Sequence, residues 1–463
     1  MRQASTPPVG YLPDERPPVW KLILFALQQI LVMFPATVLV AVLTKFDIST
    51  TIFASGLATL CFLLVTRGKI PLFYGSSFSY IAAIVSITGA QNVDLGTLIS
   101  RAQFGIIMSG LVSIAVGLII NFFKNSNIEF VLPASVTGPI AIVIGISLAG
   151  VALRNASGWN LYGGEAAAAA NDNSWIVAII TLMATILLSV YLKGTLGQLP
   201  LLFGIVIGYI AAIFFNMVDL SQIMAGQIIA APAFSLPIAD WSAVFAIMPI
   251  AIATIPESTA HLFQLDIYVD HLAKQKGRGS FNIKKRLGMN LVGDGIGDIV
   301  SGAIGGPAGT NYGENLSTMA ITRVFSVWVL GAAAIITMLI AFFTPLSNLV
   351  KSIPNAVVGG VGIYLFGVIG AQGIAIMINR KVDMFDARNL AVIASILVIG
   401  LGGSYGFVST GSPDGGMIPI FGVQLPAIAT AAIFGIVLNL VLSIGRKKTV
   451  EEVPETEQVE TAP

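Results

Sequence analysis

Long apolar runs recur along the whole of this chain, and they constrain its fold more than any other feature. Five of them contain no acidic or basic residue and are long enough, or nearly so, to cross a bilayer core of about 30 Å, which takes roughly 20 helical residues. They are Leu22 to Leu43, Ile48 to Val65, Phe104 to Ile120, Trp175 to Leu192 and Trp328 to Phe343. Of the 463 residues 56% are hydrophobic and 10% are charged, against about 25% charged in ordinary soluble domains. The sequence therefore predicts an all-α polytopic membrane protein.

The basic residues predict how many spans there are and how they are oriented. We count 14 spans, centred near residues 32, 57, 81, 112, 141, 184, 207, 252, 295, 316, 336, 361, 396 and 431. If the N terminus is cytoplasmic and the spans alternate, only four of the 24 lysines and arginines fall outside, namely Lys45, Arg101, Arg154 and Lys351. The positive-inside rule requires such an excess of inside charge. We therefore expect a multi-pass protein of the cell membrane with two cytoplasmic tails, residues 1–20 and 446–463.

Two distant segments match each other. LPASVTGPIAIVIG begins at Leu132 and IPNAVVGGVGIYLFG at Ile353, and they share Pro, Val and Gly at the same relative positions. They belong to the fifth and twelfth spans. An odd separation of seven spans gives the two copies opposite orientations, which is the sign of an inverted repeat. The expected domains are two inverted repeats, over residues 21–217 and 240–445.

The third and tenth spans are short and begin with sequences that do not look helical, PLFYGSSFSY from Pro71 and GPAGTNYGEN from Gly306. Matched broken spans point to a transporter's binding site, because irregular backbone at membrane depth is tolerated only where protein or a cavity supplies its hydrogen bonds. We expect residues 310–312 to run extended and the following helix to present its N-terminal amides to a ligand. Ser76 and Ser77 are expected to cap the matching half helix.

Four acidic residues lie in or near spans of the second half: Glu257, Asp294, Asp298 and Glu314. An ionisable group at the bilayer centre costs about 2.5 to 3.5 kcal/mol and is a functional candidate by default. Glu257 and His261 are four residues apart and so share one helical face, where the histidine can hydrogen-bond the carboxylate or exchange a proton with it. The alternative is a polar pair that only holds two helices together. Asp294 and Asp298 can equally be caps or partners of a neighbouring helix end.

At this point the residues resemble a known family. PESTAHL, GDGIGDIVSGAIGGPAGTNYGENLSTMAITRV and YGSSFSYIAAI together look like the nucleobase cation symporter family 2, also called the nucleobase/ascorbate transporters, and particularly its bacterial uracil permease branch. The resemblance covers about residues 20 to 445. It implies 14 spans in two inverted repeats of seven, with short strands in spans 3 and 10. The first four spans of each repeat then form a core domain and the last three a gate domain. It also implies import of a free nucleobase with protons and a homodimer formed through the gate domain.

The resemblance also implies a site, carried over by motif. The implied substrate-binding residues are Glu257, Glu314, Gly313, Phe78, Ala36 and Tyr312, and the implied proton-coupling residues are His261 and Glu257. Uracil offers two N–H donors and two carbonyl acceptors on a flat ring. Glu257 and Glu314 can accept from the donors, backbone amides near Phe78 and Gly313 can donate to the carbonyls, and Phe78 can pack against the ring.

This chain departs from many relatives at two places. Many relatives have Gln-His where this chain has Gln28-Gln29, and they often have histidine where this chain has Ser258. Both differences remove a titratable neighbour and leave the proton pathway and the substrate range open. Relatives that carry xanthine or uric acid commonly have glutamine in place of Glu314, so the acid favours a pyrimidine.

Three function classes follow. The leading one is a proton-coupled uracil symporter. The second keeps the fold but carries a purine such as xanthine or uric acid, or an anion, although two acids at the half-helix ends oppose an anion. The third is a membrane enzyme or a channel-like scaffold. We expect no enzyme, no metal site and no cofactor, because the sequence has no Cys/His cluster, P-loop or serine elbow. A net charge of +1 with no basic domain predicts no nucleic-acid partner. The expected partners are the nucleobase, protons and the lipid bilayer.

Overall fold

The computed structural model describes residues 10–90, 93–122, 132–158, 172–194, 196–224, 226–407, 416–420 and 423–444, so the predicted C-terminal tail lies outside the described residues. The α-helices, numbered along the chain, are α1 Val19–Thr44, α2 Ile48–Val65, α3 Ile81–Thr88, α4 Leu95–Phe122, α5 Ala134–Ser147, α6 Ala149–Ser157, α7 Asp172–Tyr191, α8 Pro200–Phe214, α9 Trp241–Ile247, α10 Ile250–Gln275, α11 Leu287–Ile304, α12 Gly313–Thr322, α13 Val327–Ile340, α14 Thr344–Lys351, α15 Asn355–Asn379, α16 Ala387–Gly406 and α17 Ala427–Val441. The strands are β1 Tyr74–Ser76, β2 Gly309–Asn311, β3 Met417–Ile420 and β4 Val423–Pro426, and the 3-10 helices are Phe78–Tyr80, Leu196–Gln198, Leu220–Gln222 and Ile283–Arg286.

Helix length and composition identify a membrane protein. Within the described ranges, eight helical stretches are long and apolar enough to cross a bilayer, and α5 with α6 and α9 with α10 each form one of these stretches. Shorter apolar helices accompany them at Phe78–Thr88, Pro200–Phe214, Val327–Ile340 and Ala427–Val441. The fold is therefore a helical polytopic membrane fold, as the apolar runs predict.

Local chemistry sets the helix boundaries. Before α2, the Asp47 side chain accepts the backbone N–H of Thr50 at 2.9 Å, so this carboxylate satisfies one of the free amides of the first turn. Immediately after the C-terminal end of α11, Gly305 has a φ of +100°. This left-handed conformation costs glycine little because it has no Cβ. The chain can therefore leave α11 sharply and enter the extended segment before β2.

Glycines allow several helices to approach closely. A Cβ on Gly110 of α4 would clash with the backbone carbonyl of Gly295 on α11. The GDGIGD run is therefore a helix-packing surface, in the manner of small residues between membrane helices. In the same way, Gly138 of α5 lies against the carbonyl of Gly373 on α15. The two segments that match in sequence thus belong to helices that pack against each other.

Two large apolar clusters organise the helices. One joins buried residues of α1, α2, α10, α11, α12 and α13. The other joins α3, α4, α9 and α10 to α5, α16 and α17. Since α10 contributes to both clusters, it lies between the two groups of helices.

The third and tenth predicted spans meet at their strands. β1 and β2 pair antiparallel, with Tyr74 opposite Asn311 and Ser76 opposite Gly309. The 3-10 helix Phe78–Tyr80 and α3 follow the first strand, and α12 follows the second. The extended conformation predicted around Asn311 is confirmed. Of the two serines expected as caps, Ser77 accepts the backbone N–H of Ser79 at 3.3 Å, whereas Ser76 is part of β1 and cannot cap because the strand has not yet ended.

Residues 10–18 of the predicted N-terminal tail pack against the membrane domain. The side chain of Leu12 is 0% exposed, and the N–H of Tyr11 donates to the carbonyl of Arg323 at 2.8 Å. Lys276 contacts Glu15 at 2.5 Å. This segment, which we call the N-terminal strap, links the start of α1 to the ends of α10 and α12.

Candidate functional site

The candidate site begins where two helices start beside the paired strands. Tyr312 precedes α12 with extended backbone, and Ser77 precedes the 3-10 helix that leads into α3. The first amides of a helix have no partner within the helix, and they carry partial positive charge. The β1–β2 pair therefore brings two sets of donor groups to one region of the membrane interior.

An aromatic ring stands at the first of these helix starts. Phe78 is half-buried, and its ring meets that of Phe366 on α15 edge to face, with centroids 6.3 Å apart. This arrangement leaves part of the Phe78 ring accessible. A planar ligand can pack against it there.

Glu257 approaches the same region from α10. It is half-buried, and its Oε2 accepts a hydrogen bond from the hydroxyl of Ser79 at 3.3 Å. The carboxylate is therefore positioned by a residue next to Phe78. Glu257 has further acceptor positions, since an ionised carboxylate can accept about four hydrogen bonds.

His261 follows Glu257 by one turn of α10, but no hydrogen bond joins the two side chains in the described structure. Glu257 contacts Ser79, whereas the imidazole lies against Gly313, so hydrogen bonding or proton exchange between Glu257 and His261 stays a prediction. A Cβ at Gly313 would come within 2.7 Å of His261 Nε2. His261 Nδ1 is buried without a hydrogen-bonding partner among the described residues.

Glu314 occupies the first turn of α12 and is half-buried. A carboxylate at this position interacts favourably with the helix N terminus. Glu257 and Glu314 lie close enough to repel each other. The site thus contains two carboxylates, one from α10 and one from α12.

Tyr312 and Ala36 are more deeply buried than the other candidates. Tyr312 is 3% exposed and Ala36 is 1% exposed. The Tyr312 hydroxyl lies 2.9 Å from the Thr37 hydroxyl and donates to the Ser76 carbonyl at 2.9 Å. The tyrosine therefore ties α1 and β1 to the start of α12.

A polar network that the sequence did not reveal lies behind β2. Ser258 donates to Asp294 Oδ2 and accepts from the amide of Asn290 at 2.7 Å. The Asn311 amide lies 3.3 Å from Asp294 Oδ2. Asn290 precedes Asp294 by four residues on a membrane helix, and this spacing was the only available signal. Ser258 is thus the hydroxyl that joins α10 to α11 and β2.

Asp298 has a different environment from Asp294. Its Oδ1 accepts from the Tyr74 hydroxyl at 2.5 Å and from the backbone N–H of Gly309 at 2.8 Å. It therefore anchors both strands rather than capping or binding a neighbouring helix end, which was the alternative expected for this residue. Among the described residues, no three His, Cys, Asp or Glu side chains are grouped as metal ligands.

Comparison with known proteins gives the family. A model described as "Permease family" matches residues 20–409. The chain belongs to this permease family. It is 38% identical over 451 residues to the uracil permease of Bacillus caldolyticus, covering 96% of this chain and 97% of that protein. It is 35% identical over 426 residues to the uracil permease of Bacillus subtilis (strain 168), covering 90% and 92%.

The family assignment confirms the resemblance to nucleobase/ascorbate transporters. Among solved structures, the transmembrane domain of the cyanobacterial bicarbonate transporter BicA matches with a TM-score of 0.62 and 17% identity, over 84% of this chain and 97% of that one. At this identity the match shows the fold alone. This permease is therefore a multi-pass membrane transporter whose helices have a fold also found in a bicarbonate transporter.

Proposed function

We propose that this permease is a proton-coupled symporter that imports uracil across the cytoplasmic membrane. The observation that carries the proposal is the pair of half-buried carboxylates, Glu257 and Glu314, which lie beside two helix starts and the Phe78 ring. The curated relatives of the same family support the choice of cargo, because they are named uracil permeases.

Each proposed contact follows from the chemistry of the ring. Glu257 and Glu314 accept hydrogen bonds from the two N–H groups of uracil, and amides at Phe78 and Gly313 donate to its carbonyls. Phe78 packs against one face of the ring. Tyr312 and Ala36 shape the site through the packing of α12 and α1. A bound anion would instead place a negative charge beside two carboxylates, so we favour a neutral nucleobase.

We propose that Glu257 and His261 couple transport to protons. Two carboxylates that repel each other are relieved when one of them is protonated. A loaded site with less net charge also crosses the low-dielectric interior at lower cost. Glu257 is the proposed proton carrier, and His261, with its unpartnered Nδ1, is the proposed exchange partner once either side chain reorients.

The proposed architecture has 14 spans in two inverted repeats, over residues 21–217 and 240–445. It is supported by the helices, since each of the 14 predicted span centres falls within one of them. The antiparallel pairing of β1 with β2 also agrees with two copies of opposite orientation. The basic residues support cytoplasmic termini. We further propose that spans 1–4 and 8–11 form a core, that the others form a gate, and that two gates form a homodimer interface.

The test is uptake of radiolabelled uracil into proteoliposomes that contain the purified protein. An inward proton gradient is imposed or collapsed with an ionophore, unlabelled xanthine is the competitor, and protein-free liposomes are the blank. We expect gradient-dependent uptake that resists xanthine, and a loss of gradient-driven uptake of more than about tenfold in Glu257→Gln. Uptake at the same rate with and without the proton gradient would contradict proton coupling. Inhibition by xanthine would favour a purine as the transported substrate.

A further inference from the structure

A small pocket lies between α4, α10, α11 and β2. Two carboxylates, four hydroxyls and the apolar side chains Ile255 and Leu291 line it. The lining residues are Ser113, Thr254, Ile255, Ser258, Leu291, Asp294, Asp298, Gly309 and Thr310. The proposed transport mechanism uses none of them.

Two buried oxygens of pocket-lining residues, Asp294 Oδ1 and Thr310 Oγ1, and the oxygen of the adjoining Asn311, Oδ1, have no hydrogen-bonding partner among the described residues. Their side chains belong to residues that are 5%, 3% and 0% exposed, respectively. Burying a polar group without a partner is unfavourable. Asn311 Oδ1 is an amide oxygen and can only accept, and Asp294 Oδ1 can only accept while its carboxylate is ionised. A group that satisfies these oxygens must therefore bring hydrogen-bond donors or positive charge.

The electrostatics point the same way. Asp298 lies one turn from Asp294 on α11. Glu257 of α10 is also near enough to Asp294 to repel its negative charge. Among the described residues, the other titratable side chain that hydrogen-bonds to these acids is Tyr74 of β1, whose hydroxyl donates to Asp298, and a phenol is ordinarily uncharged at neutral pH. The α4 wall contributes the hydroxyl of Ser113, and no lysine or arginine lines the pocket. Two adjacent carboxylates in such a place resist simultaneous ionisation.

The two acids have unequal partners. Asp298 Oδ1 already receives the Tyr74 hydroxyl and the Gly309 N–H, and both donors favour its ionised form. Asp294 receives its donors on Oδ2 only, from Ser258 and Asn311, which leaves Oδ1 free. A proton on Asp294 Oδ1 removes one negative charge and converts an unmatched acceptor into a donor.

We propose that Asp294 is a second proton-binding site of this permease, separate from Glu257 and His261. A hydronium ion in the pocket breaks one of its O–H bonds, transfers that proton to Asp294 Oδ1 and leaves as water; in the reverse step the new O–H bond breaks and water takes up the proton. The inference rests on the proposed proton-coupled function for its role in transport. The Asn311 side chain contacts Asp294, and α12 with Glu314 begins two residues later. The protonation state of Asp294 is therefore linked to the position of the substrate-binding helix.

The test is infrared difference spectroscopy of the full-length protein in lipid, with aspartate carbons labelled with 13C so that aspartate bands separate from those of Glu257 and Glu314. We expect a protonated aspartate C=O band at neutral pH that disappears on alkaline titration and is absent in Asp294→Asn. In Asp298→Asn the band should disappear at a pH lower by about one unit, because a neighbouring negative charge is gone. Asn retains the Oδ1 acceptor for Tyr74 and Gly309, so this variant keeps the strand anchor.

Several outcomes overturn the inference. The inference is contradicted if no protonated aspartate band is seen at any pH, or if the band is unchanged in Asp294→Asn. It is also contradicted if the band is lost only when sodium replaces choline, because the pocket would then be a sodium site. If Asp294→Asn does not fold, Ser258→Ala decides: without its hydroxyl donor the band should persist to higher pH, and an unchanged titration contradicts the proposal. Uracil uptake is measured on the same preparation. A band without uptake rejects the transport function alone, and uptake without a band rejects this inference alone.

Discussion

The two broken segments at the centre of this permease share a geometry but not a chemistry. Residues 74–88 and residues 309–322 each form a three-residue strand followed by a helix start, and the strands pair. The first segment contributes serines, tyrosines and the Phe78 ring. The second contributes Glu314. His261 and Asp294 contact the second segment, Glu257 bonds to Ser79 of the first, and Asp298 bonds to both.

This difference separates two tasks. Paired strands and opposed helix starts satisfy the irregular backbone and supply amide donors, and both segments contribute to that equally. Carboxylate acceptors and proton-binding groups come from the second segment and from the helices α10 and α11 that pack around it. We therefore expect substitutions in the second segment to change recognition and coupling, and those in the first to change affinity through packing.

The largest expected effect tests the second segment. Glu314→Gln should raise the Kd for uracil by at least about tenfold, because hydrogen bonds to charged groups contribute about 1.5 to 3 kcal/mol. Isothermal titration of the purified protein measures it. Asp383→Asn, in an exposed loop, is the matched control and should bind normally. An unchanged Kd in Glu314→Gln would contradict the proposal that the carboxylate of the second segment recognises uracil.

Gly313→Ala sharpens the comparison by adding one methyl group. Its Cβ would approach His261 Nε2 to 2.7 Å, so either the imidazole or the start of α12 must shift, and we expect uracil uptake to fall about tenfold. Gly331→Ala on α13 is the control. Its Cβ meets no atom within 4 Å, and alanine favours a helix by about 0.5 to 1 kcal/mol. Equal uptake rates in the two variants would contradict the close placement of His261.

A smaller effect is expected in the first segment. Phe78→Leu keeps apolar bulk but removes the aromatic face, which is worth about 0.5 to 1.5 kcal/mol in ring packing. The Kd for uracil should rise by about threefold to tenfold, while the proton dependence of uptake stays that of the parent protein. A change in the pH profile of Phe78→Leu would show that the first segment also takes part in coupling.

The smallest effect is expected far from both segments, in the N-terminal strap. The hydrogen bond from Arg278 lowers the pKa of the Asp14 carboxyl below its usual range. A carboxyl whose folded pKa is depressed stabilises the protein above its unfolded pKa, and this contribution is lost as the pH falls through the folded value. Asp14→Asn should therefore lower the Tm at pH 7 by at most about 2 °C, because both side chains are largely exposed. The difference should begin to shrink as the pH falls below about 4 and vanish once the pH is below the folded pKa of Asp14, and uracil affinity should not change.

Features encoded within a single segment were predictable. Four of the five apolar runs became membrane-length helices because burial of a long uncharged run depends on that run alone, whereas the run from Trp328 to Phe343 became the shorter helix α13. The extended backbone at Thr310 and Tyr312 and the cap at Ser77 followed from residue type where a span is broken, whereas Asn311 is extended although asparagine does not favour strands. Sequence spacing also placed Glu257 and His261 on one helix. It could not show that Glu257 turns to Ser79, which is 178 residues away in the chain, nor that residues 10–18 pack as a strap.

The sequence by itself determined the membrane class, the broken spans and which residue types carry charge into the bilayer, because each of these depends on local composition and on the cost of placing charge in lipid. Only the tertiary structure decided which of those groups meet. The contact of Tyr312 with Ser76 spans 236 residues and that of Tyr74 with Asp298 spans 224. Such contacts exist only after helices from distant parts of the chain have packed. The packing of these helices also places Ser258 and Asn311 within hydrogen-bonding distance of Asp294. Buried polar groups are almost always hydrogen-bonded, so their partners depend on the residues that the fold brings near.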